Sequence, residues 1–148
     1  MNIDMNQLKD IVISASQDEL TPRFNDVERA YKADGSVVTE ADTAMQDRLI
    51  TQLKSAYPDI GLLGEEMTPE QQQEILDSGE TVWCLDPVDG TSNFAAGLPY
   101  FSVSLALIHQ GTVILALVYD PIRDECFSAE RGKGAYLNNQ KLSKKEVG

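Results

Sequence analysis

Two aspartates close an apolar run in the middle of the chain. Asp86 and Asp89 follow residues 82–85, whose types are typical of a strand that enters a core. Two carboxylates at one poorly hydrated position repel each other and are costly to desolvate. A hard cation such as Mg²⁺ prefers oxygen ligands and would offset both penalties. The spacing therefore raises a choice between a cation site and an ordinary turn.

The residues around the aspartates are compatible both with a cation site and with an ordinary turn. Pro87 fixes the backbone direction so that both aspartates can face one centre, and the carbonyl of Val88 adds another oxygen. Gly90, Thr91 and Ser92 offer backbone N–H groups at the predicted start of a short helix, an arrangement that binds anions. A metal site beside an anion site is typical of phosphoryl chemistry. Taken alone, D-P-x-D-G is also good turn chemistry.

Further acids could belong to the same site. Glu65 and Glu66 follow the short apolar segment 60–63, and the ends of neighbouring strands can lie side by side. Asp42 lies three residues after Thr39, which is an acidic variant of the capping box. Each of these features alone is more typical of a solvated loop or a helix cap. Their combination and order favour chemistry.

Helical periodicity predicts the elements that precede this site. A first helix is expected over about 4–20, with Pro22 just beyond it, because Leu8, Ile11, Val12 and Ala15 recur at helical spacing. A second helix is expected to start at Thr39 as its N-cap and to stop before Pro58. Its predicted apolar stripe consists of Met45, Leu49, Leu53 and Tyr57. A short surface helix is predicted from the Thr68 cap to about 77–79.

From residue 82 onward the hydrophobic period changes from that of a helix to the alternation of strands. Strands are predicted at 82–85, 101–108, 112–120 and 125–129, with turns at 109–111, 121–124 and 138–139. Short turns between consecutive strands imply antiparallel pairing. The predicted fold class is therefore α+β, with two N-terminal helices packed on one face of a largely antiparallel sheet, in one domain over 1–148.

Composition limits the partners that this chain can have. The formal net charge is −12, which argues against nucleic acid or an anionic membrane as the default partner. The first ten residues are not those of a signal peptide, and no apolar run is long enough to span a bilayer, so a cytoplasmic protein is expected. Cys84 and Cys126 lie in strand-like segments and are expected to be buried, reduced thiols.

Three motifs in this order resemble one family. They are T-E-A-D at 39–42, G-E-E at 64–66 and W-C-L-D-P-V-D-G-T-S-N-F at 83–94. Together they resemble the inositol monophosphatase superfamily of Mg²⁺-dependent, lithium-sensitive phosphatases. The segments G-L-P-Y-F-S-V-S-L-A-L at 97–107 and R-G-K-G-A-Y-L-N at 131–138 also fit. The resemblance covers the N-terminal half of the family only, from about residue 30 to the end of the chain.

The resemblance implies a role for each matching position. Glu65, Asp86 and the Val88 carbonyl would hold a first Mg²⁺, Asp86 and Asp89 would share a second, and Asp42 would support a third or a water. Thr91 and Glu65 would orient and deprotonate the attacking water. The N–H groups of Gly90 and Thr91 would hold the phosphate, and Lys32 matches a lysine near the active site in some members. The implied activity is Mg²⁺-dependent hydrolysis of a small phosphomonoester.

The resemblance also implies what the chain lacks. It corresponds to the N-terminal domain of the α-β-α-β-α layered sugar-phosphatase fold, without the C-terminal α/β domain, whose aspartate completes the second metal site. Activity of this chain alone is therefore expected to be incomplete, and a homodimer is expected because the family usually dimerises.

Other functions stay open on the sequence alone. Fructose-1,6-bisphosphatase and 3′-phosphonucleotide phosphatase activities both occur in the superfamily. The same fold could instead serve a non-catalytic role in protein contact. A haloacid-dehalogenase-type phosphatase fits less well, because it needs D-x-D followed by a helix, whereas this chain has D-x-x-D followed by alternating strands.

Overall fold

The computed structural model describes residues 3–24, 36–63 and 67–143. In these residues the helices are α1 (Met5–Ala15), α2 (Ser36–Ala56), α3 (Pro69–Asp77) and α4 (Thr91–Ala95). The strands are β1 (Gly61–Leu63), β2 (Val82–Asp89), β3 (Ser102–His109), β4 (Thr112–Asp120), β5 (Glu125–Glu130), β6 (Gly134–Leu137) and β7 (Gln140–Lys141). None of the described helices has the length and apolar character that a membrane crossing requires.

Helix α1 begins where its capping residue stands and buries the predicted stripe. The Asp4 side chain accepts hydrogen bonds from the backbone N–H groups of Asn6 and Gln7, at 3.0 and 3.4 Å. The buried residues are Leu8, Ile11, Val12 and Ala15, as the periodicity predicted. The first predicted helix is therefore confirmed at its N-terminus and along its buried face.

The end of the first helical segment differs from the prediction. Residues Ser16–Leu20 form a π-helical turn, and 21–24 are again helical, so Pro22 lies within the segment rather than beyond it. Proline lacks an N–H group and its ring clashes with the preceding turn of a regular helix. The wider π turn directly before Pro22 relaxes that conflict.

Helix α2 confirms the predicted core stripe but not the predicted cap. Met45, Leu49 and Leu53 are buried, and Tyr57, just beyond the end of the helix, is partly buried against the core. The structure describes this helix from Ser36 onward, so Thr39 lies within it and the expectation that Thr39 is its N-cap was wrong. A T-x-x-D pattern is compatible with a position inside a helix as well as with a cap, so it could not fix the start by itself.

The strands form one seven-stranded sheet in the described residues, in the order β1 to β7. Strands β1 and β2 are parallel and joined through α3, whereas every later neighbouring pair is antiparallel. Helices α1 and α2 pack on one face, over alternate residues of the central strands. These residues are Trp83, Leu85, Val103, Leu105, Leu107, Leu115, Leu117 and Tyr119. The predicted α+β class is confirmed.

The opposite face of the sheet carries small side chains. The register aligns Cys84, Ala106, Ala116, Ala129 and Ala135 across β2 to β6. A groove of about 340 Å³ runs beside part of this row, and Val118 and Phe127 next to it are 38% and 41% exposed. We call this side of the sheet the open face.

The two cysteines differ in a way that the sequence did not predict. Cys126 points into the core and is 3% exposed, as expected, but Cys84 is exposed, so the expectation that it is buried was wrong. Both follow strand alternation, but Cys84 falls on the open face. The apolar composition of a strand does not reveal whether its second face is covered.

We expect this difference to appear in thiol reactivity. In the native chain, Cys84 should react with the thiol reagent DTNB in a fast phase. Cys126 should react at least about tenfold more slowly, because it must wait for local opening and because burial raises the pKa of its thiol. Cys84→Ser should remove the fast phase, and Cys126→Ser the slow one. Equal rates for the two thiols would contradict the placement of Cys84 on an open face.

Candidate metal and phosphate site

Strand β2 carries a bulge between the two aspartates. Asp86 lies opposite Ser104 and Asp89 lies opposite Ser102, so three steps along β2 match two steps along β3. Pro87 falls inside the bulge, where a residue without an N–H group costs no regular ladder hydrogen bond. The strand continues through the bulge to Asp89, so its predicted end at residue 85 was four residues too early.

The bulge determines which way the carboxylates face. In a regular strand, residues three positions apart point to opposite faces. Ser104 and Ser102 are two positions apart and share a face, so their partners Asp86 and Asp89 come to the same side of the sheet. Asp86 is half-buried and Asp89 is exposed. The extra residue thus brings together two acids that simple alternation would separate.

The carbonyl of Val88 faces the start of α4. The hydroxyl group of Thr91 donates to this carbonyl oxygen at 2.9 Å, while the Val88 side chain is buried in the core. A carbonyl oxygen has two lone pairs, so one remains for a second partner. Because Thr91 has spent its only hydroxyl proton, its oxygen can act toward a water only as an acceptor.

Gly90 makes the turn between the aspartates and α4. Its φ is +97°, in the left-handed region, and a side chain there would meet the Tyr100 carbonyl oxygen at 2.8 Å. The Asn93 side chain donates to that same carbonyl at 2.9 Å. The loop from Asp89 to Thr91 is therefore held against the backbone at Tyr100, which requires a glycine at position 90.

Arg123 supports that backbone from the other side. Its guanidinium donates to the Pro99 carbonyl at 3.0 Å and to Asp120 at 2.8 Å, and it lies 4.9 Å from the centre of the Tyr100 ring. The hydrogen bond to Asp120 raises the pKa of Arg123. Sequence reasoning missed the supporting roles of Asn93 and Arg123, because both contacts go to carbonyl groups of a distant loop.

The start of α4 offers backbone donors, although the helix is short. The first N–H groups of any helix have no acceptor within it. In α4 these groups begin at Thr91, directly after the Gly90 cap. Since α4 has only five residues, its dipole is small, and an anion would be held by local hydrogen bonds.

Of the other predicted site residues, Asp42 lies in the described part of the chain, and Glu65 and Lys32 do not. Asp42 is half-buried on α2. Glu65 and Lys32 lie outside the described residues, although Leu63, the last described residue before Glu65, pairs with Cys84. In the described segments of the chain, no group of three or more His, Cys, Asp or Glu residues could hold a metal ion. The complete ligand set therefore stays a prediction.

Comparisons with known proteins agree with the sequence motifs. A family model described as the inositol monophosphatase family matches residues 2–148. The chain is 38% identical over 120 residues to the Nus factor SuhB of Pasteurella multocida (81% of this chain, 43% of the relative). It is 39% identical over 118 residues to the inositol monophosphatase of Dictyostelium discoideum (79% of this chain, 42% of the relative).

A solved structure agrees as well. Inositol monophosphatase II of Staphylococcus aureus matches with a TM-score of 0.76 at 27% identity, over 97% of this chain and 51% of the other. The chain spans less than half the length of the curated relatives it matches. The family match and the antiparallel strands after β2 argue against a haloacid-dehalogenase-type phosphatase.

We expect position 90 to be far less tolerant of a side chain than a matched glycine. Gly132→Ala places a side chain at φ +82° with nothing within 4 Å, so only backbone strain of about 1–2 kcal/mol is expected. Gly90→Ala adds the clash with Tyr100 and should cost about 2–5 kcal/mol in the free energy of unfolding. Urea denaturation of both variants measures the difference. Equal losses would show that the loop does not depend on its contact with Tyr100.

Proposed function

The chain belongs to the inositol monophosphatase family, and we propose that it forms the metal- and phosphate-binding half of a Mg²⁺-dependent phosphomonoesterase. One observation carries this proposal. The bulge in β2 turns Asp86 and Asp89 to one side of the sheet, directly before the Gly90 turn and the N–H groups of α4. An acidic cation site beside an anion cradle is the arrangement that phosphoryl transfer needs.

The donor set suits Mg²⁺. The carboxylates of Asp86 and Asp89, the carbonyl of Val88 and the carboxylate predicted at Glu65 are all hard oxygen ligands. Bound Mg²⁺ would neutralise these acids, polarise the phosphate and lower the pKa of a bound water. The acidity of the chain thus becomes compatible with an anionic substrate.

The residues of the chain itself would then orient the reaction. Thr91 can only accept a hydrogen bond from the attacking water, because its proton goes to Val88, and this fixes the direction of the water's lone pairs. Glu65 would take the proton of that water, with Asp42 in support. The N–H groups of Gly90 and Thr91 would hold the phosphate oxygens, and Lys32 would add a positive charge near the phosphate.

The substrate class is a small phosphorylated molecule, and its identity stays open. Fructose-1,6-bisphosphate and 3′-phosphonucleotides remain alternatives to an inositol phosphate. The relatives are more than twice as long as their matched part, and we propose that in a protein of that length the remaining residues pack on the open face. The aligned small side chains there would let a helix approach the sheet closely.

A second candidate function is a non-catalytic role in protein contact. Several relatives carry the name Nus factor SuhB and not that of an enzyme, including those of Pasteurella multocida and Haemophilus influenzae. A homodimer also stays a prediction. The two candidate functions differ in whether they require the carboxylates of β2.

The metal role can be tested directly on the chain. We expect weak Mg²⁺ binding and little turnover of phosphomonoesters by residues 1–148 alone. Asp86→Asn should weaken Mg²⁺ binding in a calorimetric titration by about tenfold or more, because it removes a charged ligand. The matched control Asp77→Asn, at the exposed end of α3, should leave the affinity unchanged.

Three outcomes would contradict these expectations. Equal Mg²⁺ affinities for Asp86→Asn and the unaltered chain would remove Asp86 from the metal site. Tight binding of two ions with full turnover would show that the chain needs no second half. In a protein of the relatives' length, loss of hydrolysis in Asp89→Asn supports catalysis, whereas an unchanged cellular role in the same variant supports protein contact.

A further inference from the structure

A second groove lies on the other side of the sheet from Asp86. It has a volume of about 270 Å³ and separates the first half of α1 from β5, β6 and the turn after β6. Ser128 and Tyr136 form its floor, because they belong to the row that begins with Leu117 on the helix-covered face. The groove shares no residue with the candidate metal site.

Lysines from separate elements converge on this groove. Lys9 on α1 lies within it and donates to the Asn138 carbonyl at 3.2 Å. Lys133 lines it from the turn before β6 and pairs with Glu130 at 3.3 Å. Lys141 on β7 pairs with Tyr136 and so shares its face. The charged residues that line the groove are Lys9, Lys133 and Glu130, so its net charge is positive in a chain of net charge −12.

The surrounding sequence has the same bias. Residues 131–143 contain three Lys or Arg and no Asp or Glu, whereas the whole chain has twice as many acids as bases. A small anion that the rest of the surface repels would therefore meet an attractive potential here.

Ser128 gives an independent indication of a ligand. The residue is 5% exposed and lines the groove, and its hydroxyl group makes no hydrogen bond within the described residues but is open to the water in the groove. A bound anion could accept a hydrogen bond from this hydroxyl group in place of that water. The alternation of β5 calls for an apolar residue at this position, opposite Leu117. A serine there supplies a donor at the floor of a cationic groove.

We propose that this groove is a binding site for the phosphate or carboxylate group of a small metabolite. Lys9 and Lys133 supply charge from two sides, and the hydroxyl groups of Ser128 and Tyr136 donate from the floor. The groove needs no metal ion, so the site is independent of the phosphatase site proposed above.

The test is a titration of the whole chain with inorganic phosphate, in which amide NMR chemical shifts are recorded at each phosphate concentration. The buffer contains EDTA, which removes divalent metal ions. Acetate in a parallel titration distinguishes carboxylate from phosphate binding, and sodium chloride at matched ionic strength controls for screening. We expect saturable shifts at Ser128, Tyr136 and Asn139, and none at Thr91. Lys133→Met should weaken binding by about tenfold, because it removes one of the two positive charges that line the groove. The variant should stay folded, because the Lys133 side chain is 72% exposed.

Ser128→Ala separates a binding role from a structural one. It should weaken binding several-fold while the melting temperature stays equal or rises, because the hydroxyl group makes no hydrogen bond within the described residues that the substitution would remove. Lys54→Met, an exposed lysine on α2 away from the groove, is the matched control and should bind as the unaltered chain does. Non-saturating shifts with both anions, shifts at Thr91 alone, or unchanged affinity in Lys133→Met and Ser128→Ala would each overturn the proposal.

Discussion

The candidate catalytic site depends on a single irregularity in strand pairing. A strand presents alternate residues to alternate faces, so two acids three positions apart would normally point in opposite directions. The extra residue between Asp86 and Asp89 changes that parity while β2 stays paired with β3 on both sides of the bulge. The Val88 carbonyl and the hydroxyl of Thr91 also take their positions from this departure. Without it, the same residue types would form an ordinary strand end.

Such an irregularity must be held by a rigid environment. Trp83 and Leu85 anchor β2 in the core just before the bulge, and Val88 returns a side chain to the core inside it. Burial of each such side chain contributes about 1.5–3 kcal/mol, which holds the strand in place on both sides of the bulge. On the far side, the Gly90 turn is fixed against Tyr100, whose carbonyl is bonded by Asn93. The loop that would hold phosphate is therefore fastened at both ends.

Hydrophobic periodicity predicted helices, strands and turns, and the order of the motifs predicted the family. The stripe of α1, the core face of β3 and the turn after β4 all follow from spacing, and the family follows from three motifs in order. The exact ends of the helices could not be predicted, because the same short sequence patterns occur both inside helices and at their ends. Thr39 carries a helix-start pattern but lies inside α2, and a π turn let Pro22 remain helical. The exposure of Cys84 could not be read from an apolar strand, because it depends on what covers the second face.

The open face and the candidate site are physically linked through β2. Cys84 belongs to the row of small residues, and Asp86 is the next residue of β2 on the same face. The groove beside that row is lined by Asp86 as well as by Ala116 and Val118. Any element that packs into this groove therefore also removes water from beside Asp86. Lower local hydration strengthens the attraction between a carboxylate and a cation, so covering the open face and strengthening the metal site are one structural event.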